Sequence, residues 1–369
     1  MKTQYPYNPN RLVIEESALN AAFTQKILSA FPDVPKQIVG QVNEIKKSGH
    51  SQYKKKEFII TDYKGDMIKT CPGCVGTVNC NYLVANIVQG CPFGCTYCFL
   101  QDYMNSGSIV ICGNLEKFFE QLTQVQRNGF LVRLGTGELA DSLAFDPILG
   151  LTDEIIPHLK NVPNVIMEFK TKSNYVENLL KHDGSEQIVI GWSVNPQIII
   201  NHDERGTASL DERIEAARKA ANHGYSVAFH FDPIIMINDW ESHYIDVVNK
   251  IFAAIPAYKI AWISMGVLRI TPSLKSIIQE RYQNSKLLAY GEFTMSQDGK
   301  FRYFRPLRVK LYRTILNAIR SYSTKVPVYC CMETDQVWQE VFNAQPSEQS
   351  ELSLIFDRNT VYAGSCQES

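Results

Sequence analysis

What this chain lacks narrows its possibilities first. No uninterrupted apolar run reaches the roughly 18 residues that a membrane span requires. Residues 1–25 hold no apolar core of a secretory leader. Both absences predict a cytoplasmic chain with no membrane partner. Neither charge sign is in excess: 37 Lys and Arg oppose 38 Asp and Glu, for a net charge of −1. No global basic field therefore advertises nucleic acid, although a local basic face stays open. Internal repeats, low-complexity tracts and a clear linker are missing too.

Cysteine, by contrast, is plentiful. Ten are present, and six of them (71, 74, 80, 91, 95 and 98) fall within residues 71–98. In a reducing compartment clustered cysteines mean metal rather than disulfides. With 369 residues, 45% of them hydrophobic, the chain can bury one large α/β domain with additions, or two domains.

The segment from Gly90 to Gln101 (GCPFGCTYCFLQ) organises the rest. Cys91, Cys95 and Cys98 are spaced C-x3-C-x2-C and follow an apolar run, Tyr82 to Val88. Thiolates are soft ligands that favour iron–sulfur clusters, zinc or copper(I). A cubane usually takes four cysteines, so three on one loop can hold three irons and leave the fourth open. Gly90, Pro92 and Gly94 suit a tight loop with its backbone close to a cluster. Upstream, Cys71, Cys74 and Cys80 make an incomplete set for zinc or a second cluster.

The C-x3-C-x2-C spacing, with the aromatic Tyr97 just before the third cysteine, resembles the radical S-adenosylmethionine (AdoMet) enzymes. That resemblance implies a 4Fe–4S cluster on Cys91, Cys95 and Cys98 whose open iron is chelated by AdoMet. It also implies an external electron donor such as flavodoxin or ferredoxin.

Six strand-like runs follow, at 82–89, 130–134, 163–169, 187–193, 225–231 and 258–264, with helical candidates between them at 115–125, 153–159, 175–181, 210–222 and 240–254. Strand alternating with helix predicts a parallel sheet with helices outside, curled by right-handed crossovers. Six units are too few for a closed eight-stranded barrel. They match the α/β partial (β/α)6 TIM-like barrel of the radical AdoMet type. The expected layout is an N-terminal extension over 1–80, the barrel over 81–270 and C-terminal α/β additions over 271–369. The extension should hold helices at 17–31 and 38–45 and a solvated basic linker around Lys46 to Lys56. The C-terminal part should hold helices at 273–282 and 307–321 and a hairpin through Asp298-Gly299.

In such barrels chemistry collects at the C-terminal strand ends. The second run leads into Gly135, Gly137 and Glu138, which resembles the Gly-Gly-Glu segment that binds the AdoMet amino group. His230 and Asp232 end the fifth run and read as polar cavity lining, with His230 a cofactor-contacting candidate. Arg269 lies beyond the sixth run as a substrate-side candidate.

Further segments resemble the spore photoproduct lyase family. They include Cys71-Pro72-Gly73, Cys98-Phe99-Leu100-Gln101, Lys172, Trp192-Ser193-Val194-Asn195 and Thr207 to Ala217 (TASLDERIEAA). This resemblance implies a DNA-repair lyase. In that family the adenosyl radical takes hydrogen from C6 of 5-thyminyl-5,6-dihydrothymine, the methylene bridge fragments, and two thymines return. By position Lys172, Ser193 and Asn195 fall where the family contacts AdoMet. Arg302, Tyr303 and Arg305, in a run mixing Arg and Lys with Phe and Tyr, fall near its lesion-contacting hairpin. That mix suits phosphate contact and stacking on unpaired bases.

One departure stands out. Glu138 occupies the place where the family often carries a hydrogen-donating cysteine, and a carboxylate does not donate hydrogen atoms readily. Cys331, Cys74 and Cys330 are the alternative thiols, and Tyr97 is a further catalytic candidate. The competing readings are a radical AdoMet enzyme acting on another nucleic-acid lesion or a peptide, and a non-catalytic iron–sulfur protein that binds nucleic acid.

Overall fold

A computed structural model describes residues 7–41, 55–74, 76–104, 107–126 and 131–345, together with Leu352. The centre of the molecule is an eight-stranded sheet. Its spatial order is Val328–Cys330, Ile260–Val267, Ser226–Ile234, Ile188–Ser193, Val165–Thr171, Val132–Gly135, Leu83–Ala85 and Ile68–Thr70. All neighbours pair parallel except Ile68–Thr70, which runs antiparallel to Leu83–Ala85. The strands from Leu83–Ala85 to Ile260–Val267 are the six predicted runs in chain order, and are called here the first to sixth barrel strands. The sheet curls: Arg133, on the second strand, lies 5.1 Å from the Trp262 ring on the sixth. The result is an open half-barrel.

The flanking helices arise where the sequence marks them. Leu210–Asn222 starts at Ser209, whose hydroxyl accepts from the Glu212 amide while the Glu212 carboxylate accepts from the Ser209 amide. This capping box satisfies two donors that the first turn leaves open. Glu116–Gln126, Leu151–Leu159 and Trp240–Ala254 lie between barrel strands as expected. The candidate at 175–181 does not form an α-helix; only a 3-10 turn, Leu179–Lys181, is present. Seven residues without a cap do not offset the cost of nucleation, and Asn178 instead donates to the Asp146 carbonyl (2.9 Å).

The N-terminal part is more than an extension. Lys36–Val39, Arg11–Glu15, Glu57–Thr61, Ile109–Cys112 and Val88–Gln89 form a second, five-stranded sheet in that order. Helix Ala22–Ala30 falls within the predicted 17–31. The helix expected over 38–45 is replaced, where described, by strand Lys36–Val39, which pairs parallel with Arg11–Glu15; residues 42–45 lie outside the described residues. Pairing within the sheet overrode a local apolar spacing. Most of the basic linker, residues 46–54, also lies outside the description. The run 82–89 serves both sheets: Leu83–Ala85 enters the barrel and Val88–Gln89 enters the second sheet, so the two sheets meet where the cysteine loop begins.

In the C-terminal part, Pro272–Arg281 and Arg305–Tyr322 are helical. The hairpin forms, with Phe293–Met295 antiparallel to Phe301–Tyr303 and Gly299 at φ +72°. Val328–Cys330 adds a seventh parallel strand at the sheet edge, beside the sixth. Pro327, which lacks an amide hydrogen, precedes it and donates nothing to the ladder. Among the described residues, no helix is long and apolar enough to cross a membrane.

Candidate active site

The cysteine loop is held at several points. The Gly90 amide donates to the Leu139 carbonyl (2.8 Å), tying the loop to the end of the second strand. Gly90 sits at φ +97°, where a Cβ would fall 3.2 Å from the Ser108 carbonyl oxygen, so only glycine makes this turn without strain. Gly94–Cys95 pairs antiparallel with Glu204–Arg205. The Thr96 amide donates to the Asp203 carbonyl, and the Cys98 amide to the Cys95 carbonyl (3.2 Å). Lys55, at the end of the predicted linker, donates to the Pro92 and Phe93 carbonyls and so closes the loop from the other side.

Cys91, Cys95 and Cys98 all line one cavity, with Lys55, Gln101 and Arg281 around them. Burial pushes the Cys91 thiol up to about 12 and raises Cys95 and Cys98 as well. A soft metal centre is what turns such thiols into thiolates. Among the described residues no three His, Cys, Asp or Glu side chains close around a single ion. Cubane thiolates each bind a different iron, so sulfurs spread around a shared cavity fit a 4Fe–4S cluster better than a zinc ion.

Beside the loop lies a polar hub that the sequence did not reveal. Glu204 is 2% exposed and accepts from Tyr97 Oη, Asn195 Nδ2 (2.9 Å) and Arg213 Nη2 (2.5 Å). Burial alone would raise its pKa; the Arg213 and Lys172 charges and these hydrogen bonds hold it at about 2. Lys172 reaches toward the same hub, with its ammonium 5.9 Å from the Tyr97 ring. Burial works against that ammonium, but the Glu204 and Cys95 charges raise its pKa. Tyr97 is thus a brace between the cluster loop and the fourth-strand region.

A second buried chain crosses the lumen. Tyr82 Oη donates to Glu168, which also bonds His230 Nε2 (2.6 Å), and His230 Nδ1 meets Ser264 Oγ (2.6 Å). Burial, with Lys170 nearby, lowers the His230 pKa, so a neutral ring donates from Nε2 and accepts at Nδ1. Gly135 and Gly191 flank Glu168 and leave space for this chain. A Cβ on Gly135 would lie 1.8 Å from Tyr82 Oη, and one on Gly191 would lie 2.5 Å from Glu168 Oε1 and 2.8 Å from His230 Nε2.

These contacts redirect several sequence-level expectations. The space beside Gly135 is filled by Tyr82, and a Cβ on Gly137 would meet Lys170 Cβ at 2.8 Å. A side chain is therefore excluded at both positions by internal packing, while the Gly137 backbone stays half-buried. His230 spends both nitrogens within the protein. Asn195 is fully buried and spends its amide on Glu204 and on Tyr244 Oη (2.9 Å). Arg302 is buried in a two-bond pair with Asp298 (2.5 and 2.8 Å). Tyr303 is buried against Phe293, with its hydroxyl accepting from the Met236 amide (3.0 Å). Arg302 and Tyr303 thus brace the hairpin and offer nothing to solvent. Arg305 is 44% exposed at the side chain and lies 3.4 Å from Glu340.

Other candidates lie at or just beyond the strand ends. Ser193 ends the fourth strand beside His230. Glu138 is half-buried and accepts from Asn86 Nδ2 (2.9 Å). Arg269 forms a two-oxygen pair with Asp232 (2.9 and 3.1 Å) across the ends of the fifth and sixth strands. Cys331 follows the seventh strand, with its amide donating to the Met265 carbonyl (2.7 Å), and its thiol is raised by burial and by the Asp232 charge. Cys330, one residue back, points into the core and is 1% exposed. Cys74 is half-buried, 3.3 Å from the Lys300 ammonium and 3.6 Å from Met332 Sδ.

A half-barrel with a three-thiol cavity at the C-terminal end of its first strand is the architecture of the radical AdoMet enzymes. The chain belongs to the spore photoproduct lyase family, whose model matches residues 7–306. It is 28% identical over 298 residues to the spore photoproduct lyase of Bacillus subtilis, covering 77% of this chain and 85% of that one. It is 23% identical over 337 residues to the enzyme of Clostridium acetobutylicum, covering 86% and 97%. A solved spore photoproduct lyase variant with bound AdoMet and dinucleoside spore photoproduct shares the fold, with a TM-score of 0.76, 21% identity, and 89% of this chain and 99% of that one covered.

Proposed function

We propose that this chain is a radical AdoMet lyase that reverses the spore photoproduct, 5-thyminyl-5,6-dihydrothymine, to two thymines in DNA. The observation that carries the reading is the convergence of Cys91, Cys95 and Cys98 on one cavity just beyond the first strand of a half-barrel, in a chain of this family. When bound, a 4Fe–4S cluster and AdoMet supply a 5′-deoxyadenosyl radical that takes hydrogen from the lesion.

The residues have separable tasks. Cys91, Cys95 and Cys98 hold the cluster. Glu204 fixes Tyr97 and faces Lys172 beside Cys95, so a cofactor amino acid bound there meets a fixed ammonium. Ser193 lies on the same side. Cys331 returns hydrogen to the product: it is half-buried at the mouth, where Cys330 is sealed in the core. Cys74 is the second donor candidate, half-buried on the neighbouring edge. Arg305 serves the DNA backbone, and an external low-potential protein supplies the electron in a reducing, cytoplasmic setting.

Anaerobic reconstitution followed by AdoMet, dithionite and a dinucleotide spore photoproduct tests the reading. Thymidylyl-thymidine should appear at an enzyme-dependent rate. Substrate left unchanged beside active AdoMet cleavage moves the chain to another substrate, and no 5′-deoxyadenosine at all removes the radical chemistry.

A further inference from the structure

Lys170 lies on the third barrel strand between two residues that are already engaged. Its amide donates to Ser142 Oγ (2.9 Å) and its carbonyl accepts from the Ser142 amide (3.0 Å), so its backbone is pinned by the loop after the second strand. Alternation along a strand puts Glu168, Lys170 and Lys172 on one face, and the bond from Glu168 to His230 identifies that face as the lumen. Glu168 is spent on Tyr82 and His230. Lys172 stands over the Tyr97 ring. Between them, the Lys170 ammonium has no hydrogen bond or ion pair to any described residue.

Its charge is felt by Cys71, Glu168, His230, Asp232 and Cys331, which come from opposite sides of the lumen. Its place on the strand, between Glu168 and Lys172 on the lumen face, puts the ammonium among them. A half-buried ammonium carries three donors, and none of them is taken by a described residue, so they face whatever enters the lumen. A ligand with an acceptor meets them. The surroundings choose between acceptors. A phosphate entering here would face the Glu168 and Asp232 carboxylates. A neutral carbonyl carries no charge for them to repel, and a pyrimidine imide presents two.

We infer that Lys170 is a substrate-positioning residue, donating a hydrogen bond to a ring carbonyl oxygen of the lesion. The inference rests on the lyase reading above. Such a contact sets the base on the side of the lumen where the Cys331 thiol stands. It also makes base recognition, rather than backbone charge, the source of affinity inside the barrel.

The test uses the reconstituted holoenzyme and measures binding of AdoMet, of the dinucleoside spore photoproduct, and of the same lesion with its bridging phosphate. Lys170→Met should weaken dinucleoside binding by roughly 10- to 100-fold, the loss of a charged hydrogen bond, with AdoMet affinity changed by less than about threefold. Lys170→Gln, which keeps an N–H donor, should recover most of that loss, and this rescue separates a lesion contact from a folding defect. Equal dinucleoside affinity in wild type and Lys170→Met overturns the inference. So does a loss seen only with the phosphate-bearing lesion, or an equal loss for AdoMet. Should the wild type neither bind nor repair the lesion, the lyase reading fails first and the assignment falls with it.

Discussion

At the residue scale, Glu204 illustrates how a buried charge is kept. Three donors and a nearby ammonium surround it, and its pKa is held at about 2. A carboxylate whose folded pKa lies below its unfolded value binds fewer protons when folded. Its stabilisation is therefore complete above the unfolded value, near 4.5, and lost as pH falls toward 2. Glu204→Gln should flatten the stability loss seen in urea titrations between those limits by roughly 1–3 kcal/mol. Arg213→Ala should do more harm, about 3–5 kcal/mol, because it strands a buried carboxylate. At the cluster, Cys98→Ala should abolish AdoMet cleavage and lower the iron bound per chain. Cys331→Ala should leave AdoMet cleavage in place but raise abortive products; an unaltered product distribution would transfer the donor role to Cys74.

Elements explain why those residues meet. Glu168 is reached from both sides because its neighbouring strands carry Gly135 and Gly191 in the adjoining space. Gly191→Ala puts a methyl 2.5 Å from Glu168 Oε1. It should break the Glu168–His230 bond and lower stability by about 1–3 kcal/mol, read as a fall in Tm. Helix Leu210–Asn222 shows the opposite case, an element set by its own ends. Ser209→Ala should cost about 0.5–2 kcal/mol through the lost cap. That helix also delivers Arg213 to Glu204, so its first turn links local capping to the cysteine loop.

For the whole molecule, the two sheets and the seventh strand decide what the mouth contains. Val328–Cys330 covers the edge of the sixth strand, and Cys331 arrives with it. A chain ending at Thr324 should expose that edge and lose the Trp338 packing of helix Asp335–Phe342. It should aggregate on refolding, as light scattering would show, where the full chain stays clear.

The amino-acid order alone determined the six barrel strands, the capped helix, the hairpin turn and the three thiols that share one cavity. Each is written in neighbouring residues: period, cap, Asp-Gly, or cysteine spacing. Only the folded chain decided which polar side chains share a cavity. Glu204 and Tyr97 stand 107 positions apart and Glu168 and His230 62 apart, and no local pattern records such partners. The same limit explains Gly135, Asn195 and Tyr303. Their residue types suited a ligand, yet their hydrogen-bonding groups and free space were taken by groups the fold brings in, Tyr82 at Gly135, Tyr244 at Asn195 and the Met236 amide at Tyr303.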